Sequence, residues 1–204
     1  MYIVCTDLEG VLVPEVWINV ARWTGIDELK LTTRDISDYS ALMTRRLEIL
    51  RQHGITITDI QKVISLLDLM PGAQDFIEWL HGRLQMIVVS DTFREFADPL
   101  LQKMGWPLLF CHHLTIDGNG NITDFNLRQN DAKKMVVKKM QELNYKVIAI
   151  GDSYNDISML RQAEMGILFN PPPNVINDNK DIRVVTSYMQ LKNIIRDTID
   201  NGHK

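Results

Sequence analysis

The chain is poor in cysteine. Two residues, Cys5 and Cys111, occur in 204, too few for a disulfide framework or a paired thiolate metal motif. A reducing cytoplasm is the simplest compartment, and Cys5 belongs to a buried-strand pattern. Histidine offers no metal centre either. His53, His81, His112, His113 and His203 show no ligand spacing, and His112-His113 reads as a partly exposed strand pair. No apolar run approaches the roughly 20 residues of a membrane span. The start lacks a basic segment followed by a long apolar one, so no signal peptide is expected. Positive charge is not in surplus: 22 Lys and Arg against 26 Asp and Glu give a net charge of -4, which predicts no general attraction to nucleic acid. Internal repeats and low-complexity segments are also missing. The remainder, 45% hydrophobic and 24% charged, is an ordinary globular composition, long enough for one large domain or a core with a smaller insertion.

The chain is organised around its first strand, Tyr2 to Thr6, and the residues after it, Asp7-Leu8-Glu9-Gly10-Val11-Leu12-Val13. The short apolar run without clean alternation predicts a parallel strand covered on both faces. Ligands of open α/β sheets bind at the carboxyl ends of such strands. Asp7 and Glu9, two apart, would share a face in ideal strand geometry, and two converging carboxylates call for a cation between them or a proton on one of them.

From Glu15 to Trp23, apolar residues at helical spacing (Val16, Ile18, Val20, Trp23) predict a helix ending near Gly25. A polar stretch runs from Leu31 to Ser40. Leu42 to Leu50 predicts a second helix, and Thr58 or Asp59 is placed to cap a third through Leu67. About 60 residues without a strand is too long for a plain crossover, so residues 14–70 are expected to form a helical cap on a catalytic core made of 1–13 and 71–204. The core then alternates. A helix is expected at Ala73 to His81, a strand at Gln85 to Ser90 and a helix at Phe93 to Met104. A hairpin turns at Asp117-Gly118-Asn119-Gly120, and Asp131 is placed to cap a helix from Lys133 to Leu143. A third buried strand, Lys146 to Ile150, leads to a helical stretch from Tyr154 to Gln162. A short strand, Met165 to Phe169, precedes an extended Pro171-Pro172-Pro173 loop, and Val184-Val185 and a helix from Tyr188 to Ile199 close the chain. This order predicts an α/β, doubly wound parallel sheet with a small helical cap inserted after the first strand.

Three predicted strand ends carry polar groups to one sheet edge: Asp7 with Glu9, Ser90 and Asp152. Asp7 and Asp152 can hold a hard cation through oxygen, and magnesium suits such ligands together with phosphate. Ser90, just before a helix, and Lys133, near the start of another, can hold phosphate oxygens. The set points to phosphoryl transfer, with Asp7 as nucleophile and Glu9 as the acid that protonates the leaving alkoxide. Taken singly, Ser90 is equally a helix cap, Lys133 a solvated lysine, and Asn155 and Asp156 ordinary turn and first-turn residues.

Four stretches in order resemble the motifs of the haloacid dehalogenase-like hydrolases: Asp7-Leu8-Glu9-Gly10-Val11, Val88-Val89-Ser90-Asp91, Lys133, and Gly151-Asp152-Ser153-Tyr154-Asn155-Asp156. Within that family the chain looks most like the phosphoserine phosphatase group, and like a bacterial subgroup described as bifunctional phosphoserine phosphatase and homoserine phosphotransferase. The resemblance implies a haloacid dehalogenase-like core and Mg2+ held by Asp7, the Glu9 carbonyl and Asp152, with Asp156 supporting it. It implies phosphate contacts from Ser90, the Asp91 backbone, Lys133 and Asn155. The cap would read phosphoserine, with Glu15 toward the α-ammonium group and Arg46 toward the carboxylate. Arg45 is the alternative, since helix neighbours point about 100° apart. Glu9 departs from the aspartate usual at its position, which puts hydrolytic efficiency in doubt and suits transfer to homoserine as acceptor.

Two other classes account for part of this pattern. A signalling receiver also carries a phosphorylatable aspartate on a doubly wound sheet, but it has no reason to hold a helical insertion between Glu15 and Leu69. A non-catalytic binding module would not need every part of the mechanism filled. Met- and Trp-bearing helices suit either a homodimer face or the core, and the residues leave both open.

Overall fold

A computed structural model describes residues 1–32, 35–36 and 38–201. His203 and part of the polar stretch 31–40 lie outside the described residues. Among them, seven strands make one sheet: β1 (Tyr2–Thr6), β2 (Gln85–Phe93), β3 (Leu108–Ile116), β4 (Ile122–Asn126), β5 (Lys146–Gly151), β6 (Met165–Phe169) and β7 (Arg183–Val185). The spatial order is β4-β3-β2-β1-β5-β6-β7. All neighbours run parallel except the β3–β4 hairpin.

The unbroken apolar character of β1 has the expected cause: both faces are covered. Val4 packs with α4 (Ala73–His81), α5 (Arg94–Lys103) and α9 (Tyr188–Asn201) on one side. Ile3 and Cys5 pack with α6 (Ala132–Glu142), α7 (Ile157–Gln162) and α8 (Pro173–Asp178) on the other. Alternate residues thus feed two cores, each apolar. Among the described residues, no helix is long and apolar enough to cross a membrane.

Three helices, α1 (Val16–Thr24), α2 (Tyr39–Gln52) and α3 (Ile57–Ser65), with a 3-10 turn at Asp27–Lys30, stand between β1 and α4. They rest on the rest of the chain at defined points. Ile57 N–H donates to Gly120 O in the β3–β4 turn at 2.9 Å. Gln61 Nε2 donates to Glu95 O at 2.8 Å, and Lys103 Nζ to Leu67 O at 2.6 Å.

Several local expectations are corrected. Trp23 is 54% exposed, and Trp17 fills the buried face of α1 instead, because the stripe runs Val16, Trp17, Val20, Ala21. The cap of α3 is Thr56, not Thr58 or Asp59. Its side chain and Asp59 exchange bonds as a capping box, and Asp59 sits at the third helical position. Asp131 precedes α6 at φ +47° without capping it, and Ser158 Oγ donates to its carboxylate. Pro173 opens the short helix α8 rather than prolonging a loop, since a proline's fixed φ suits a first helical position. His112 is 3% exposed and only its neighbour His113 is exposed.

Strand β6 passes so close to α7 that a Cβ on Gly166 would lie 2.3 Å from Leu160 O. Gly166→Ala should therefore cost about 1–3 kcal/mol of stability. Gly118→Ala, at a turn position with nothing within 4 Å, should stay within about 0.5 kcal/mol of wild type. Urea denaturation midpoints measure both.

Candidate active site

β1 lies between β2 and β5, so the chain leaves it in opposite directions and opens a crevice at the carboxyl ends of these strands. The turn after β1 curls tightly, with Leu12 and Val13 N–H both donating to Leu8 O. Asp7 and Glu9 therefore reach one cavity through this turn and not by sharing a strand face. On the other side, β2 loses register with β3 between Val89 and Phe93. This irregularity holds Ser90, Asp91 and Thr92 over the crevice, as bulges beside sites commonly do. Asp7 N–H donates to Ile150 O at 2.8 Å, tying the turn to the strand that delivers Asp152.

Lys133, 2% exposed, is the only lysine in this cluster among the described residues. Its Nζ lies 2.7 Å from Asp156 Oδ1, 2.9 Å from Asp7 Oδ1 and 3.6 Å from Asp91 Oδ2. Burial opposes its charge, but Asp156, Asp7 and Asp91 outweigh it and hold the ammonium protonated. Asp156, fully buried, turns its other oxygen to the N–H groups of Asp152 and Ser153 at 2.9 and 3.1 Å. Asp7 Oδ1 also accepts from Leu8 N–H at 2.7 Å. Ser90 is buried, and its Oγ accepts from Thr92 N–H at 3.2 Å.

Negative charge exceeds positive here. Burial first, then Asp156, pushes the Asp7 carboxyl well above the usual carboxylate range, with Lys133 opposing. The same two causes raise Asp152 to about 7. Oxygens of Asp7, Asp152 and Asp156 all lie within 4.8 Å of one another. Gly10, at φ +78°, leaves room for Asp152: a Cβ there would sit 2.5 Å from its carboxylate. Clustered hard oxygens that repel one another in a cradle only glycine permits fit a small divalent cation.

Beyond this cluster a cavity of about 350 Å³ is lined by Glu9, Glu15, Trp17, Arg46 and Ser90, among others. Glu9 Oε2 accepts from Val16 N–H at 2.8 Å, so Glu9 also holds the amino end of α1. Burial, then the neighbouring Glu15, pushes its carboxyl up to about 8. Glu15 is exposed at the cavity's mouth. Arg46 points inward and Arg45 is exposed. The Arg46 guanidinium sits 4.5 Å from the Trp17 ring centroid and donates to Leu31 O at 2.7 Å. Its buried Nε has no protein partner. Asn155 lines the cavity too, and one N–H of its Nδ2 donates to Asp91 Oδ2 at 2.8 Å.

Three residues at the site carried no signal in the sequence. Trp17 sat inside a helical pattern, His112 read as strand surface, and Tyr39 as part of a polar stretch. Tyr39 donates its hydroxyl to Asp91 O at 2.8 Å. A larger cavity of about 660 Å³ shares the Asp91–Lys133 wall but lacks Asp7, Glu9 and Asp152, which line the smaller one.

A family model for haloacid dehalogenase-like hydrolases matches residues 3–164. The chain is 50% identical to phosphoserine phosphatase ThrH of Pseudomonas aeruginosa over 192 residues, 94% of each protein. It is 48% identical to a phosphoserine phosphatase of Pseudomonas syringae pv. tomato over 190 residues, 93% of this chain and 80% of that one. A solved structure described as a phospho-aspartyl intermediate analogue of phosphoserine phosphatase superposes with a TM-score of 0.77 at 23% identity, covering 96% of this chain and 97% of that one. This last likeness is one of fold.

The excess of buried carboxylate gives a test that does not depend on turnover. Asp152→Asn should raise the melting temperature in chelator by a few degrees, because it removes a charge whose ionisation burial opposes. It should also abolish the rise that magnesium gives the wild type. Thermal unfolding with Mg2+ and with EDTA checks both. An undiminished magnesium response would show that the carboxylate cluster is not the metal site.

Proposed function

The chain belongs to the haloacid dehalogenase-like hydrolase family, and we propose that it is a magnesium-dependent phosphoserine phosphatase working through an aspartyl-phosphate on Asp7. The observation that carries this reading is the pairing of two recognition groups in one small cavity with the Asp7–Lys133 centre. Arg46 offers a buried Nε without a protein partner, and Glu15 stands at the mouth of the same cavity. A guanidinium suits a carboxylate and an acid suits an ammonium group, which together select a phosphorylated amino acid. Relatives named phosphoserine phosphatase support the same choice. Residues 14–70 serve as the substrate-reading cap over a core of 1–13 and 71–204. With both cysteines buried and unpaired, the enzyme suits the cytoplasm.

The steps follow from the side chains. Lys133 and the Ser90 hydroxyl hold phosphoryl oxygens, and Lys133 also fixes Asp7 Oδ1. Asp7 Oδ2 attacks phosphorus, and the bond from phosphorus to the serine oxygen breaks. Glu9, whose raised pKa favours its protonated form, gives that oxygen its proton. Glu9 then takes a proton from water, whose oxygen attacks phosphorus, releases phosphate and restores Asp7. Mg2+ held by Asp7, the Glu9 carbonyl and Asp152, with Asp156 behind them, would neutralise charge on the phosphoryl oxygens. Homoserine can replace water as acceptor, its hydroxyl giving the proton to Glu9.

A phosphate-release screen over phosphorylated amino acids, sugars and nucleotides should favour phosphoserine with Mg2+ and fail with chelator. Asp7→Asn should abolish turnover. Arg46→Ala should raise KM for phosphoserine at least about tenfold, the loss of roughly 1.4 kcal/mol or more, and leave p-nitrophenyl phosphate nearly unaffected. A preference for a sugar phosphate would overturn the cap reading alone. For the transfer activity, phosphoserine supplied with homoserine should yield phosphohomoserine. Glu9→Asp should shift the product ratio toward free phosphate, and an unchanged ratio would remove Glu9 as its cause.

A further inference from the structure

His112 has no place in the steps above, yet each of its ring nitrogens faces a defined group. It lies on β3 opposite Phe93, where β2 resumes pairing after its irregular stretch, and it is 3% exposed. Arg128 N–H donates to His112 Nδ1 at 3.0 Å. That nitrogen is therefore the acceptor, and the ring proton sits on Nε2. Nε2 faces Asp91 Oδ1 at 3.5 Å, the long end of hydrogen-bond reach.

Asp91 is the side chain through which His112 meets the site. Its second oxygen accepts from Asn155 and faces Lys133 at 3.6 Å. Burial opposes the charge of Asp91, but Lys133, His112 and Asn155 outweigh it and keep the carboxylate ionised. An ionised carboxylate this close to Lys133 competes with phosphoryl oxygens for the ammonium group. A donor on Oδ1 counters that competition by holding the carboxylate back. The Phe93 and Tyr39 rings lie beside the imidazole, tilted to it, with centroids 6.3 and 6.4 Å from that of His112.

We infer that His112 is a positioning residue for phosphate binding: its Nε2–H pins Asp91, and so keeps Lys133 and Asn155 set for the phosphoryl group. The inference rests on the reading of this site as a phosphate site, and it adds a residue that touches neither substrate nor metal.

Two substitutions separate its two contacts. His112→Asn keeps an acceptor near Nδ1 for Arg128 N–H and loses the donor to Asp91. His112→Gln carries an amide donor out to the Nε2 position. Inorganic phosphate is the probe, titrated calorimetrically into the full chain with Mg2+, and melting temperatures are recorded alongside. His112→Asn should weaken phosphate binding about tenfold, and His112→Gln should stay within about threefold of wild type. In an Asp91→Asn background, His112→Asn should add no further loss, because it acts through that carboxylate. Equal affinities in wild type and His112→Asn, equal losses in Asn and Gln, or additive losses with Asp91→Asn would each overturn the inference. If the phosphoserine assignment alone is wrong, wild-type phosphate binding survives; if the site does not hold phosphate, wild type itself shows no binding.

Discussion

Buried like charge is the constraint around which this molecule is built. Asp7, Asp91 and Asp156 gather about one ammonium group at the carboxyl ends of the central strands, with Asp152 beside Asp7 and Asp156. Water would screen such a cluster, but burial removes most of it, and the carboxyl groups of Asp7 and Asp152 rise in response. Such a cluster persists only where the surrounding structure over-determines it. Here the determination comes from the strands. β1, β2 and β5 are locked in register, each packed on two apolar faces, and their ends have little freedom to separate the charges.

The same arrangement makes the site receptive. Carboxylates short of positive charge suit a divalent cation, and under the proposed function such a cation would join Lys133 in attracting a phosphoryl group. Glu9 links that centre to the helices after β1 by accepting the Val16 N–H at the amino end of α1, and Tyr39 on α2 donates to the carbonyl of Asp91. The helices between β1 and α4 are thus joined to the carboxylate centre through hydrogen bonds at Glu9 and Asp91. A shift of the inserted helices would be felt at Glu9 and Asp91 directly.

Much of this was legible in the residues. The strand Tyr2–Thr6, the acids after it, Ser90 in the second half of β2 and Asp152 after β5 follow from apolar runs ended by small polar residues, and parallel sheets bury such runs on both faces. The motif match favours Arg46 over Arg45, and the burial of Arg46 on the Leu42, Met43 and Leu50 face of α2 agrees with that preference. Trp17 was missed because Ile18 and Trp23 fit a helical stripe nearly as well. His112 was missed because a single histidine in an amphipathic strand gives no sign of what lies opposite it.

The sequence by itself determined the alternation of strands and helices, the run of helices between β1 and α4, and the chemical types available at each strand end. These depend on neighbours in the chain, on periodicity, and on the few residues that can turn it. Tertiary structure alone decided which carboxylates meet Lys133, that Asp91 lies between His112 and Asn155, and that Arg46 rather than Arg45 is buried over Trp17. Those pairings join residues tens of positions apart. They are set by the order of strands in the sheet and by the break in register of β2, which no local pattern encodes.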